Sequence, residues 1–292
     1  MNSLAVADAQ LAARHRAGRR FEVLLWLMTA AGVVMLVLLL IQILTQGATW
    51  VRGSFLTGVA SIRPERAGFL PAIVGSVAII AITGLVAVPV GVAAAVYLEE
   101  FAPRNRLTSI IETNVSNLAG VPAIVYGLLG LALFVRALSL GRSLLSGALT
   151  LAILVLPTII IASREAIRAV PQSLRLAALA VGATRWQTTW HHVLPAALPG
   201  VLTSVILALS RALGEAAPLL VIGAASYVPF LPRKLSDSFT AMPIQIYTWS
   251  AMPQAQFQNV AAAGIIVLLV VLLSMNATAI IIRQRAGSKL KW

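Results

Sequence analysis

An all-α, polytopic membrane bundle of six spanning helices is the fold that this chain of 292 residues predicts. Three observations carry that expectation. Hydrophobic residues make up 59% and charged residues only 11%, against roughly 25% charged in a soluble domain. Mean hydropathy is +0.92. Six apolar runs, at residues 21–44, 69–98, 110–135, 144–163, 201–223 and 260–282, come near the ~20 residues that carry a helix across a bilayer. Their unbroken Ile, Leu, Val and Ala content lacks the every-second-residue alternation of a membrane barrel strand.

In chain order, residues 1–20 form a basic arm with Arg14, Arg16, Arg19 and Arg20. The Arg19-Arg20 pair imitates a twin-arginine export signal. The apolar run behind it exceeds a signal's h-region and lacks a clear A-x-A site, so the first span is expected to stay uncleaved. Residues 21–282 then read as one six-span domain, with no soluble domain attached. The second span holds Pro89 and a small-residue stripe, Ala87, Gly91 and Ala95, whose four-residue spacing permits close helix approach. Polar Glu112, Asn114 and Asn117 open the third span, which also contains Pro122. Pro157 lies in the fourth and Pro218 in the fifth. Proline frees a backbone carbonyl and bends a spanning helix, so four kinked spans suit a bundle that moves better than a passive anchor. A basic tail, residues 283–292, ends the chain.

Between the fourth and fifth spans lies a long polar interruption, residues 164–199, reading REAIRAVPQSLRLAALAVGATRWQTTWHHVLPAALP. Pro171 fits the first turn of a helix. Residues 172–181 favour helix, and Gly182 can supply the left-handed residue that ends it. Thr184 and Gln187 have the spacing of a capping box for a second short helix. Pro195 and Pro199 are expected to punctuate its exit. The result is a knob of two short helices outside the membrane, which another protein could grip. Trp186 and Trp190, one turn apart, either line that grip or rest at the membrane interface, the commoner role of tryptophan.

Lys and Arg residues set the orientation. The arm, the loop with Arg104 and Arg106, the knob and the tail hold 14 of them; the opposite loops hold 7, including Arg52, Arg142 and Lys234. The positive-inside rule puts both termini and the knob in the cytoplasm. The net charge of +13 is spread over loops that flank spans, so topology accounts for it better than nucleic acid does.

The chain offers little material for catalysis. No G-x-x-x-x-G-K-[ST] is present, and the stretch 141–147 has neither the spacing nor the lysine. With no Cys, thiolate metal sites and disulfides are excluded. His191 and His192 are adjacent and diverge by about 100° on a helix, and His15 is isolated in the arm. No H-E-x-x-H or G-x-S-x-G occurs. The sharpest chemical feature is in the fifth span, where Arg211 and Glu215, four residues apart, are expected on one helix face. An ionised residue in the bilayer costs at least ~2.5–3.5 kcal/mol, so such residues are paired, inward-facing or functional. Two readings stand. The pair neutralises itself and fixes packing, or Arg211 faces a pathway as a transient anion ligand while Glu215 orients it and prevents a permanent trap. A planar guanidinium suits phosphate or sulfate through two parallel hydrogen bonds. Gly214 between them permits close contact or a local bend. A channel is the rival class, but a lone Arg–Glu pair is poor material for a selectivity filter.

The knob resembles the coupling loop of ABC importer permeases: EAA, three residues, Gly, nine residues, Ile, any residue, Leu-Pro. Ala177, Ala178, Gly182, Leu194 and Pro195 fall at the matching spacing, while Leu176 stands in place of Glu and His192 in place of Ile. Further stretches are similar to the permease subunit of the bacterial phosphate ABC importer, the A-type permease. They are LPAIVG from Leu70, VPVG from Val88, YLEE from Tyr97, NLAGVPAIVYG from Asn117, the run from Arg211 to Pro218, and AMPIQIY from Ala241. The resemblance implies a type I ABC importer permease fold in the bacterial cytoplasmic membrane. It also implies pairing with a second permease and docking of the knob on two copies of a cytoplasmic ATPase. ATP and Mg would be bound by those ATPase subunits, with no cofactor and no enzymatic activity in this chain. An extracytoplasmic phosphate-binding protein would dock over residues 54–67 and 225–258. Sulfate and molybdate are the alternative cargoes. Ala178→Glu is expected to abolish coupling, because a bulky charge would have to fit inside the dock.

Overall fold

The computed structural model describes residues 2–224 and 227–288; Ala225 and Ser226 of the expected binding-protein loop, and tail residues such as Lys289 and Lys291, lie outside the described residues. Every regular element among those described is helical. Among the described residues five helices are long and apolar enough to cross a membrane: Phe21–Trp50, Leu70–Phe101, Leu144–Arg168, Arg185–Leu213 and Gln256–Ile281. A sixth crossing is broken in two.

Helix α1 (Asn2–Gly47) joins the basic arm and first span without interruption. None of its apolar window is buried by the rest of the chain. It is fixed near its end, where a Cβ on Gly47 would come within 2.6 Å of the Ala262 backbone. After the short helix α2 (Gly53–Thr57), helix α3 (Leu70–Val96) forms the second span, with Pro71 in its first turn where a missing N–H costs nothing. Its buried face runs through Ile79, Thr83, Ala87, Gly91 and Ala95. As the spacing predicts, this stripe permits close approach: a Cβ on Gly91 would stand 2.7 Å from Ile159 Cγ2 on the fourth span.

The third span departs from expectation. A continuous helix over 110–135 is replaced by α4 (Arg106–Ala119) and α5 (Ala123–Gly130), bent by 101°. α4 starts early because Asn105 Oδ1 accepts from the Thr108 backbone N–H at 2.9 Å. It stops at Gly120 because Pro122 disfavours helical geometry in Val121 and becomes the N-cap of α5. α5 continues through a π turn, Leu131–Ala137. Helix α6 (Leu144–Arg168) begins where the sequence puts the fourth span, capped by the Ser143 hydroxyl accepting from Ser146 N–H at 3.3 Å. It runs five residues past the predicted end.

The knob is half as expected. Helix α7 (Gln172–Ala180) forms with Pro171 as its N-cap rather than in its first turn, and Gly182 takes φ +87°. Thr184 and Gln187 make the reciprocal capping box that opens α8 (Arg185–Thr188). α8 does not end at the prolines. It passes through a π turn, Thr189–Val193, into α9 (Leu194–Leu213), with Pro195 in the first turn of α9 and Pro199 inside it. Pro195 needs no helical N–H at the entry of α9, Pro199 is tolerated inside it, and the wider π turn absorbs the change of pitch. The fifth span therefore starts at the knob and ends ten residues before the predicted Gly223. Gly214 closes α9, and α10 (Ala217–Ile222) restarts with Pro218 in its first turn. α11 (Met242–Ser250) and α12 (Gln256–Ser288) complete the described residues.

Three apolar clusters hold this arrangement. One joins α3, α6 and α9 through Ala87, Ile159, Val201 and Val205. A second stacks Phe55, Phe69 and Trp249, with centroids 5.3–5.8 Å apart, against α12. The third surrounds Phe239 and Leu151. The two half-helices α5 and α10 meet through Gly127, whose added Cβ would lie 2.7 Å from Pro218 Cα. Gly127→Val is expected to destabilise the solubilised protein by about 1–3 kcal/mol through overpacking, read as a lower thermal midpoint with the secondary structure unchanged.

Candidate functional site

Two helix breaks converge on one cavity. The α4–α5 bend and the α9–α10 break enclose about 50 Å³, room for a small ion with few waters. Ala119, Val121 and Tyr126 come from the bend, Thr158 from α6, and Arg211 and Glu215 from the break. Tyr126 holds the bend shut by donating its hydroxyl to the Leu118 carbonyl at 2.8 Å, across eight residues. α5 starts at the cavity, so the positive end of its dipole faces the same space.

Arg211 and Glu215 do approach each other, but not on one helix face. α9 ends at Leu213, tightened by Gly214 N–H donating to Arg211 C=O and Glu215 N–H to Ala212 C=O, both at 3.1 Å. Glu215 thus sits in the break. Its carboxylate oxygen is 3.7 Å from Arg211 Nε, an ion pair beyond good hydrogen-bond reach. Arg211 makes no hydrogen bond among the described residues, and its side chain is 75% exposed while that of Glu215 is 23% exposed. A guanidinium so exposed within a spanning region cannot face hydrocarbon cheaply. Its open side must meet water or another protein.

In the knob, the predicted residues divide. Ala178 is buried at 6% exposure, whereas Ala177, Gly182 and Pro195 are exposed and Leu194 is half-buried. A glutamate at 178 would therefore disrupt the knob's own packing before it met any dock. Leu176, in place of the motif glutamate, is exposed, as are Leu179 and Val181. They give the knob an apolar tip. Trp186 and Trp190 stack at 5.7 Å and 9° away from this tip. They line an apolar groove of about 720 Å³ along α3 and α9, a setting that fits a membrane-interface position.

Sequence reasoning treated the knob arginines as topological signals and missed what they hold. Glu99 and Glu100, in a π turn (Tyr97–Phe101) at the end of α3, gather them. Arg175 binds Glu100 Oε1 through both Nε (3.0 Å) and an NH2 nitrogen (2.7 Å), and Arg185 donates to the Glu100 carbonyl at 2.7 Å. Arg168 donates to both Glu99 oxygens, at 3.0 and 3.1 Å. Arg164 reaches Glu99 at 3.4 Å and Glu112 of α4 at 2.8 Å. The available signal was two adjacent carboxylates ending an apolar span, opposite a segment with four arginines.

The sequence match, on a fold of membrane-spanning helices, makes the chain a membrane permease of the binding-protein-dependent class. Residues 87–287 match the family described as the binding-protein-dependent transport system inner membrane component, and the chain belongs to that family. Its relatives include a Bacillus subtilis protein named "Probable ABC transporter permease protein YqgI", 31% identical over 81% of this chain and 85% of that one. The phosphate transport system permease protein PstA of Haemophilus influenzae is 31% identical over 84% of this chain and 86% of its own. PstA 1 of Mycobacterium tuberculosis (strain H37Rv) is 33% identical over 76% and 72%. Among solved structures, the inward-facing MetNI methionine ABC transporter aligns at TM-score 0.59 and 18% identity, covering 73% of this chain and 93% of that one. The fold is that of type I ABC importer permeases, and the chain is a transport subunit rather than an enzyme.

Tyr126→Phe removes the side-chain tie that spans the 101° bend among the described residues. It is expected to cost about 1 kcal/mol in local stability and to slow transport while leaving membrane levels of the protein normal, as quantitative blotting beside uptake would show.

Proposed function

We propose that this chain is a permease subunit of an ATP-driven importer of inorganic phosphate in the bacterial cytoplasmic membrane. The observation that carries this reading is Arg211, exposed within the spanning region at a cavity made by two broken helices, beside a carboxylate that does not saturate it. Helices broken near the membrane midplane are a common way for transporters to bring polar groups to a cargo. The named relatives whose activity is printed as phosphate transport supply the choice of oxyanion.

The subunit pairs with a second permease, and the pathway lies between them, on the side to which Arg211 opens. Arg211 binds the anion transiently, and Glu215 keeps the guanidinium oriented and the affinity low enough for release. The knob, with both termini, lies in the cytoplasm by the positive-inside rule. It docks into an ATPase subunit through Ala177, Gly182, Leu194, Pro195 and the apolar tip of Leu176, Leu179 and Val181. The ATPase binds ATP and Mg; this chain needs no cofactor. A phosphate-loaded binding protein delivers cargo to the opposite face, over residues 54–67 and 225–258. Because α8 and α9 are one continuous helix, a push at the knob travels to Arg211 along a single element.

Radiolabelled phosphate uptake at low external concentration, in cells lacking the gene, tests this directly. Wild-type chain is expected to restore uptake, and Arg211→Gln to lower it at least about 100-fold, the scale of removing one positioned charge from a transit site. Restoration by both would leave Arg211 a packing residue. Failure of the wild type, with partner subunits present, would move the cargo to sulfate or molybdate.

A further inference from the structure

We infer that Arg164 is a shared latch through which movement of the knob reaches the wall of the Arg211 cavity, making it and Glu112 positioning residues for transport. The inference rests on the permease reading above.

Helix α4 buries none of its residues. Its sequence is amphipathic and polar, so apolar packing does not fix its angle on the rest of the chain. Its side-chain tie to another spanning helix is the ion pair from Glu112 Oε1 to an NH2 nitrogen of Arg164, at 2.8 Å. Seven residues further along α4, about 10.5 Å at 1.5 Å per residue, Ala119 forms part of the cavity wall. Six residues back along α6, about 9 Å, Thr158 forms another part. Glu112 and Arg164 therefore set the separation of two walls at their far ends.

The same NH2 nitrogen that serves Glu112 also reaches Glu99 Oε2, at 3.4 Å. Glu99 is bonded in sequence to Glu100, which holds Arg175 and Arg185 of the knob. Arg164 is thus pulled by two carboxylates on different elements, Glu99 at the end of α3 and Glu112 on α4. Its side chain is 13% exposed, yet its Nε is buried with no partner. An unsatisfied buried donor is costly. The second arrangement available to the guanidinium turns its Nε–NH2 edge to Glu99, satisfying Nε and releasing Glu112. In that arrangement α4 loses its hold on α6 at Glu112 while the Tyr126 tie at Leu118 remains, so α4 pivots about its cavity end and opens on the knob side. The pair thus has the two discrete positions that coupling between distant sites requires.

The test uses the full complex, with its second permease, ATPases and binding protein, in proteoliposomes. Phosphate uptake and ATP hydrolysis are read together. Glu112→Gln keeps the side-chain volume but removes the charge that recaptures Arg164. Arg164→Lys keeps the charge but replaces the fork with a single nitrogen that cannot serve both carboxylates. Both are expected to raise the ATP hydrolysed per phosphate moved by about five-fold or more, with the ATPase rate and complex assembly retained; a purely structural ion pair would lower both activities together. Wild-type stoichiometry in an assembled Glu112→Gln complex overturns the latch. If that variant does not assemble, wild-type stoichiometry in Arg164→Lys overturns it equally. A wild-type complex that moves no phosphate would instead sink the permease reading, so the two failures are separable.

Discussion

Close approach of α3 to α6 is the constraint on which the rest of the bundle depends. Lipid is as apolar as a leucine side chain, so helices in a bilayer gain little from hydrophobic burial and are held by contact between well-matched surfaces. Ala87, Gly91 and Ala95 provide such a surface, and Ile159 fills the space a larger residue at 91 would need. α9 then packs into the groove between these two helices through Val201, Val205 and Ala208. With α3, α6 and α9 fixed, the middle of α6 and the end of α9 stand close enough to share a cavity, and the end of α3 brings Glu99 and Glu100 under the knob.

Around that rigid centre the irregular parts are arranged where they can be tolerated. Backbone that leaves the helix inside a membrane must find partners in protein or water. The break at 120–122 is braced by Tyr126 and by the contact of Gly127 with Pro218, and the break at 214–216 by short backbone hydrogen bonds. Each break therefore supports the other. Positioning a charged side chain at their meeting point costs less than it would in a smooth helix, because backbone groups left free at the breaks, Thr158 and Glu215 stand beside it.

Sequence periodicity made the spans legible because lipid imposes one simple demand, a long apolar run. The boundary at Thr184 followed from its capping box, whereas the cap at Asn105 went unread and α4 starts four residues before the expected span. Pro122 and Pro218 announced irregularity, but not its size. Whether a proline kinks a helix or turns it by 101° depends on neighbours such as Val121 and on tertiary anchors such as Tyr126, which are invisible until the chain is folded. The fusion of α8 with α9 was hidden for a related reason: Pro195 reads as a stop, yet at the start of a helix it is compatible with continuation. The pairing of Glu99 and Glu100 with arginines 65 to 85 residues away was not legible at all. Arginines near a span end satisfy a topological rule whether or not they have partners, so the rule explained them before their contacts could.

The uninterrupted run from α8 into α9 has a mechanical consequence. From Arg185 to Arg211 it measures about 39 Å at 1.5 Å per residue, long enough to act as a lever. A tilt of about 10° of the α3–α6–α9 unit in which this rod is embedded displaces one end of the rod relative to the other by about 7 Å, comparable with the width of a hydrated anion's path. Motions at the knob are thus carried to the guanidinium along one helical run, with the π turn and Pro195 and Pro199 as its points of bending.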